Sequence, residues 1–157
     1  MKQYQQLPDD SVIVLLAPGF AETQIDYYAG FLRQNSVPVS LIGLSIQRVN
    51  SVNGCSLLPD YTLNQLPPQQ TYPLVLMLGG YDYLASLMAD PRVHQLIGDT
   101  LERDGYVAAD ETAESMLPYT NAKALLERER FLTPKNMEQN EFAQYLIDIL
   151  RKKPVGM

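Results

Sequence analysis

The residues whose types could do chemistry each follow an apolar run of the sequence. Gly79 and Gly80 follow one such run, and backbone without a β-carbon can turn tightly and approach a ligand closely. Asp110 and Glu111 follow another run, and Glu22 follows a third; a carboxyl group can serve as a general acid, a general base or a nucleophile. Two carboxyl groups in different environments can divide these roles, while glycine N–H groups stabilise an oxyanion.

The other reactive residue types are sparse. The sequence has one cysteine, Cys55, which follows Gly54, and one histidine, His94, which lies in an apolar helical pattern. We interpret Cys55 as a packing residue and His94 as a structural one. A zinc site would have to rely on carboxylates, so we expect neither a metal nor another cofactor. Tyr81, beside the glycines, suits a ligand pocket or, alternatively, a subunit contact.

Composition restricts the class of protein. The 157 residues are predicted to form a single domain, 1–157, because they match the commonest domain size. A net charge of -6 argues against a nucleic-acid or anionic-membrane partner, since both require clustered Lys and Arg. No run approaches the roughly 18 apolar residues of a membrane span. One cysteine excludes an internal disulfide, and we therefore expect a cytoplasmic protein.

Strand and helix patterns alternate along the chain and must position these residues. Continuous apolar runs are typical of buried parallel strands, whereas apolar spacings of three and four indicate helices. Asn53-Gly54 indicates an antiparallel hairpin, and Asp90-Pro91 a capped helix start. Strands are predicted at Val12–Ala17, Val37–Leu44, Leu74–Leu78 and Tyr106–Ala109, and helices at Gln24–Gln34, Tyr83–Met88, after Pro91, within Asp110–Arg130 and around Phe142–Leu150.

Right-handed crossovers then give an α/β fold, a flavodoxin-like three-layer sandwich with a mostly parallel central sheet and helices on both faces. Over Val12 to Leu117 the sequence resembles the ThiJ/PfpI superfamily, within the class I glutamine amidotransferase-like fold. The segments that carry the resemblance are Ala17–Glu22, Val52–Asp60, Leu78-Gly79-Gly80, Asp90-Pro91 and Gly105–Ala109. The resemblance implies an oligomer, which we expect to be a homodimer, and a shortened C-terminal part that would leave a sheet edge to be covered.

The resemblance also implies where a nucleophile would lie. Family enzymes carry Ala-x-Cys-x-Gly at a strained strand-to-helix elbow, and this chain reads Ala109-Asp110-Glu111-Thr112-Ala113. Glu111 therefore takes the cysteine position, or Asp110 does if the register slips by one residue. The glutamate that assists the family cysteine falls on Gln24, and the partner histidine is missing. These departures argue against the family's thiol chemistry.

The two departures suggest a self-occupied pocket. We hypothesise that Glu111 fills the anion hole formed by the Gly79 and Gly80 N–H groups, with the Gln24 amide donating to it. Gln24, both glycines, Tyr81 and Thr112 would then line the binding site. Alternatively, Asp110–Thr112 is an ordinary helix amino terminus, where acidic side chains suit the dipole.

Two functions follow from these interpretations. The first is a pseudoenzyme, a ThiJ/PfpI-like protein without catalysis that binds a small molecule or acts as an interaction module. The alternative is a hydrolase or a glyoxalase/amidase-type enzyme that uses carboxylates instead of a thiol. In that enzyme Asp110 or Glu111 would be the base or nucleophile, and Glu22 the acid.

Overall fold

A computed structural model of the protein describes residues 4–116 and 123–152. The predicted α/β alternation is confirmed, with some changes in element bounds. The helices are α1 (Glu22–Gln34), α2 (Tyr81–Met88), α3 (Pro91–Glu102), α4 (Glu111–Met116) and α5 (Gln139–Arg151), with short 3-10 helices at Leu63–Gln65 and Lys123–Glu127. The strands are β1 (Val12–Leu16), β2 (Val39–Gly43), β3 (Val49–Asn50), β4 (Ser56–Leu57), β5 (Tyr61–Thr62), β6 (Leu74–Met77), β7 (Tyr106–Ala109) and β8 (Phe131–Leu132).

The main sheet has six strands in the order β5-β2-β1-β6-β7-β8, and every neighbouring pair within the described ranges is parallel. Val12 of β1 lies opposite Leu74 of β6 on one side and Val39 of β2 on the other. α1 packs against β2 and α5, whereas α3 packs against β6, β7 and α2. This is the predicted flavodoxin-like α/β architecture.

The strands at the centre of the sheet are completely buried. All five residues of β1 and all four of β6 have no accessible surface, which their unbroken apolar sequences require. Full burial of one such side chain contributes about 1.5–3 kcal/mol. Because both strands are buried and paired on both sides, they position the residues just beyond their carboxyl ends.

The helices follow the predicted apolar stripes. α1 buries Ile25, Tyr28, Ala29 and Leu32, and it begins at Glu22, two residues before the predicted start. In α3 the Asp90 carboxylate accepts a hydrogen bond from the Arg92 N–H at 2.9 Å, as the predicted cap requires.

The predicted hairpin is also confirmed. β3 and β4 pair antiparallel around Asn53-Gly54, and Gly54 has the positive φ of 87° that favours glycine. Phe20, in the loop after β1, bridges Ser51 of this hairpin on one side and Gly79 on the other. The hairpin is therefore attached to the loops at the carboxyl ends of the strands.

Two strands were not predicted. β5 and β8 have two residues each, too few to show any period in the sequence, and both lie at the edges of the sheet. The interpretation of Asp110–Arg130 as a helical region is only partly correct. α4 and the 3-10 helix Lys123–Glu127 lie there, followed by the turn that leads into β8, while residues 117–122 lie outside the described ranges.

Candidate functional site

The loops that follow β1, β6 and β7 meet at the carboxyl edge of the sheet. The Ala21 N–H donates to the Leu78 carbonyl at 3.0 Å, which joins the loop after β1 to the loop after β6. Asp110 follows β7 directly and begins the turn into α4. In open parallel sheets, ligands bind in the crevice beyond these strand ends, so this edge is the candidate site.

Gly79 is a packing residue as well as a loop residue. A β-carbon there would lie 2.4 Å from Cγ of Tyr83, far inside van der Waals contact. Neither Gly79 nor Gly80 has a positive φ; Gly80 is the residue before α2, with φ -87°. Gly79 is therefore explained by the approach of the Tyr83 ring and not by its backbone conformation.

Tyr83 and Tyr81 have different environments. Tyr83 is fully buried; its hydroxyl donates to the Leu15 carbonyl at 2.6 Å and accepts from the Leu78 N–H at 3.1 Å. Tyr83 therefore covers the end of the sheet and does not line a pocket. Tyr81 is 61% exposed and stays available for a ligand or a partner.

Asp110 is the buried carboxylate of the site, with 9% of its surface exposed. Its Oδ1 accepts a hydrogen bond from the Thr112 N–H at 3.0 Å, and the Gly79 N–H is close enough to lower the pKa of the carboxyl. Burial raises the pKa of Asp110 from its ordinary 3.8 to about 6, while Thr112 and Gly79 oppose the shift and the charge of Glu111 adds to it. Asp110 thus titrates close to neutral pH.

Glu111 does not have the environment that the hypothesis gave it. Its side chain is exposed, and the carboxylate that the Gly79 N–H approaches is that of Asp110. Within residues 4–116 and 123–152, the Gln24 amide has no hydrogen bond to Glu111, and Gln24 Oε1 is buried without a partner. The hypothesis that Glu111 occupies the anion hole is therefore wrong. Asp110 is the carboxylate that lies there, because the residue nearest the strand end is the one that points inward.

The helix-terminus alternative describes this turn better. The Thr112 N–H bond is an Asx-type cap, and the Ala113 N–H donates to the Asp110 carbonyl at 3.2 Å. The positive-φ residues outside glycine in the described ranges are Asp10, Ser36, Asp104 and Lys135. Neither Asp110 nor Glu111 has the left-handed backbone of a strained elbow.

A cavity of about 400 Å³ opens beside this turn, and we call it the strand-end crevice. Tyr28 lies in its wall. Burial raises the pKa of Tyr28 to about 12, and the charges of neighbouring groups, which include Asp110 and Glu111, add to the shift. The wall is rich in oxygen acceptors, two of them carboxylates. It is formed by Thr23, Gln24, Tyr28, Asp110, Glu111, Thr112, Pro134, Met137 and Gln139.

Glu22 faces the β3–β4 hairpin instead of the crevice. Hydrogen bonding to the Cys55 thiol is the main effect on the pKa of Glu22 and lowers it. Burial, the next largest effect, opposes the shift, and the side chains of Asn53 and Ser51 add smaller lowering effects. Glu22 is not among the described residues that line the strand-end crevice. The structure therefore brings Gln24, Asp110, Glu111 and Thr112 together in the crevice and leaves Glu22 outside it.

Cys55 is the neighbour of Glu22 that sequence reasoning missed. The thiol is exposed, so the interpretation of Cys55 as a packing residue is wrong. A hydrogen bond to Glu22, with smaller effects of burial and of the carboxylate charge, raises the pKa of Cys55. The Ser51 hydroxyl oxygen accepts from the Cys55 N–H at 2.9 Å and fixes the turn. No periodicity links positions 22 and 55, so only the fold reveals this pair.

His94 lies on the exposed side of α3, and its ring contacts the Met88 carbonyl at 2.7 Å. In the part of the chain that the structure describes, no group of three His, Cys, Asp or Glu side chains is placed to hold a metal ion. No helix in that part is both long and apolar enough to cross a membrane.

Comparisons with known proteins agree on one family. Residues 10–128 match the family model described as the DJ-1/PfpI family. No curated protein sequence matches the chain. Among solved structures, the chain is similar to Drosophila melanogaster DJ-1beta, at 18% identity and a TM-score of 0.72, over 92% of this chain and 90% of that one.

Two further structures have comparable likeness. Oxidized DJ-1 of Toxoplasma gondii is 14% identical, with a TM-score of 0.74 over 92% of each chain. A ThiJ/PfpI domain protein of Brachyspira murdochii is 13% identical, with a TM-score of 0.73 over 93% of this chain and 99% of that one. At these identities the likeness establishes the fold.

Proposed function

The chain belongs to the DJ-1/PfpI family, and we propose that it is a member without the family's thiol chemistry, a pseudoenzyme whose strand-end crevice binds a small molecule. Glu111 occupies the position that the family resemblance assigns to the nucleophilic cysteine, and Gln24 the position of the assisting glutamate. The location of Cys55 in the turn of the β3–β4 hairpin, beside Glu22, supports this proposal, because it places the thiol away from position 111 in the sequence pattern.

The observation that carries this proposal is the environment of Asp110. Its carboxylate accepts a hydrogen bond from the Thr112 N–H, and the Gly79 N–H is close enough to lower its pKa. In an acyl-transfer site, backbone donors of this kind are aimed at the oxyanion of the transition state. Here the Gly79 N–H approaches a side chain of the protein itself, so a substrate oxyanion would have to compete with a buried carboxylate.

The crevice favours a ligand with hydrogen-bond donors. Gln24 Oε1 is buried and lacks a partner within the described residues, and Asp110 and Glu111 add carboxylate oxygens. A buried acceptor without a hydrogen-bond partner lowers the stability of the folded protein, and an N–H or O–H group of a bound ligand would remove this penalty. A small cation with N–H donors matches both the acceptors and the negative charge.

Turnover measurements test the absence of catalysis. Wild type, Asp110→Asn, Glu111→Gln and Cys55→Ser proteins are incubated with p-nitrophenyl acetate, a small peptide and methylglyoxal. We expect all four to give the rate of buffer alone. Saturable turnover by wild type that any one of these substitutions removes would overturn the proposal.

Nuclear magnetic resonance titration tests the binding role separately. Methylguanidinium and acetate are added to the protein as probes of opposite charge. We expect methylguanidinium to shift the signals of Gln24 and Thr112 in wild type. These shifts should be smaller in the double variant Asp110→Asn, Glu111→Gln. Equal responses to both probes, or shifts elsewhere only, would contradict a donor-binding crevice.

One observation favours a second candidate, an enzyme that uses carboxylates. The pKa of Asp110, raised to about 6 by burial, suits a general base near neutral pH. Glu22 is a poor candidate for the acid, because its pKa is lowered by hydrogen bonding, first to Cys55, and it faces the hairpin. A rate that rises through about pH 6 and disappears in Asp110→Asn would support this candidate over the first.

A further inference from the structure

A second cavity, of about 500 Å³, lies between α3 and the segment that precedes β6, and we call it the α3 cavity. Its volume is within the range of small-molecule sites, roughly 300–1,000 Å³. It shares no described lining residue with the strand-end crevice. Its wall is formed by Tyr4, Leu63, Asn64, Leu66, Pro67, Pro68, Gln70, Thr71, Tyr72, Pro91, Arg92, Gln95, Leu96, Asp99, Thr100 and Arg103.

The charged side chains of this wall already have partners. Arg92 forms a salt bridge with Asp90 at 2.7 Å, so its charge is matched outside the cavity. The Asp99 carboxylate accepts from the Gln95 amide at 3.2 Å, and Arg103 donates to the Pro68 carbonyl at 3.3 Å. A charged ligand would therefore have to compete with existing contacts and meet charges of both signs.

The amide and hydroxyl groups of the wall are also mostly engaged. Gln70 both donates to and accepts from the backbone of Leu7. The Thr100 hydroxyl donates to the Leu96 carbonyl at 2.7 Å, and the Asn64 side-chain oxygen accepts from Arg92. What remains between these groups is apolar surface from prolines, leucines and aromatic rings.

Tyr72 is the exception in this wall. The residue is 6% exposed, and its hydroxyl oxygen is buried without a hydrogen-bond partner in residues 4–116 and 123–152. Burial raises the pKa of Tyr72 to about 12, so the hydroxyl keeps its proton and remains a donor. Buried polar groups are nearly always hydrogen-bonded, and an orphan beside a cavity needs an explanation.

We infer that the α3 cavity binds a small, uncharged and mainly apolar molecule that carries one acceptor oxygen, a carbonyl, to which the Tyr72 hydroxyl donates. The apolar wall supplies the contact area, and within the described residues the Tyr72 phenol is the buried polar group of this wall that lacks a partner. Its oxygen has almost no accessible surface in the free protein, so donation to the ligand requires the wall to shift around the ring. The site is independent of the proposed function, because Asp110 and Gln24 have no part in it.

A pair of probes that differ in one oxygen tests this inference. Acetophenone has the carbonyl and ethylbenzene lacks it, while the two have similar size. Binding is followed through the amide signals of residues 95–103 and 68–72 in wild type and Tyr72→Phe. We expect wild type to bind acetophenone more tightly than ethylbenzene. Tyr72→Phe should weaken the binding of acetophenone by about two- to tenfold and leave the binding of ethylbenzene unchanged.

Two further measurements keep the test decisive. Benzoate, a charged analogue of the same size, is expected to bind more weakly than acetophenone. Leu96→Trp, which fills the cavity from α3, is expected to abolish the response to every probe while the remaining amide spectrum stays folded. The inference is overturned if acetophenone gives no shifts at its solubility limit, or binds wild type and Tyr72→Phe equally. Benzoate binding above acetophenone would also overturn it.

Discussion

The Tyr83 ring packs against the α-carbon of Gly79 so closely that a β-carbon at Gly79 would lie 2.4 Å from Tyr83 Cγ. The same tyrosine hydrogen-bonds the carbonyl of Leu15 and the N–H of Leu78, at the ends of two central strands. The contact therefore holds the loop that carries Gly79 against the sheet, together with the Gly79 N–H that approaches Asp110.

We predict that Gly79→Ala destabilises the protein by about 1–3 kcal/mol, because the added methyl overlaps a fully buried ring. The measurement is the free energy of unfolding in urea. Gly98→Ala in α3 is the matched control: nothing lies within 4 Å of its β-carbon position, so alanine should stabilise the helix by about 0.5–1 kcal/mol. Equal effects of the two substitutions would contradict the packing argument.

The core of the fold could be predicted because its signals are local. Val12–Leu16 and Leu74–Met77 are unbroken apolar runs, and the stripe in α1 has a clear helical period. β5 and β8 could not be predicted, since a strand of two residues forms only through its neighbour in the sheet. Strand order beyond the alternation rule depends on that same long-range pairing.

The sequence predicted where the candidate site lies more accurately than it predicted which side chains point into it. Asp110, Glu111 and Gln24 line one crevice, as the family resemblance implied. Which of the two adjacent carboxylates points inward depends on the backbone turn after β7, and the sequence alone left that register open. The Glu22–Cys55 contact joins two loops across the fold, so no local pattern encodes it.

We predict that stability falls as pH rises through the pKa of Asp110. The folded state holds the proton up to about pH 6, whereas the unfolded chain releases it near 3.8, so the folded state binds more protons between these values. Ionisation of the buried group then costs at most about 3 kcal/mol between about pH 4 and pH 7. Urea unfolding across this range measures the effect.

Asp110→Asn is the variant for this prediction. Asparagine cannot ionise, and its side-chain oxygen still accepts the Thr112 N–H, so the pH dependence should flatten and the protein should gain stability at pH 7. Glu111→Gln, at an exposed neighbouring carboxylate, should keep most of the wild-type slope. A wild-type slope in Asp110→Asn would show that another group titrates.

We predict that Cys55 reacts slowly for an exposed thiol. Its pKa is raised by hydrogen bonding to Glu22, and only the thiolate attacks an alkylating reagent. Glu22→Gln should therefore increase the rate of iodoacetamide modification at pH 7, measured by mass spectrometry. Glu111→Gln removes a carboxylate elsewhere and should leave the rate unchanged. A Glu22→Gln rate equal to wild type would mean that Glu22 does not control the thiol.

We propose a homodimer, and the exposed side chains between β2 and β5 suggest where it forms. Ile46, Val52 and Leu58 are 72%, 60% and 54% exposed, and an interface would bury such apolar side chains. Light scattering on the purified protein should give twice the chain mass of 17.7 kDa. Val52→Lys should reduce that mass towards the monomer, because an interface at Val52 would have to desolvate the added charge. Tyr81→Lys should do so instead if the subunits meet at α2. A monomer in wild type at high micromolar concentration would reject the dimer.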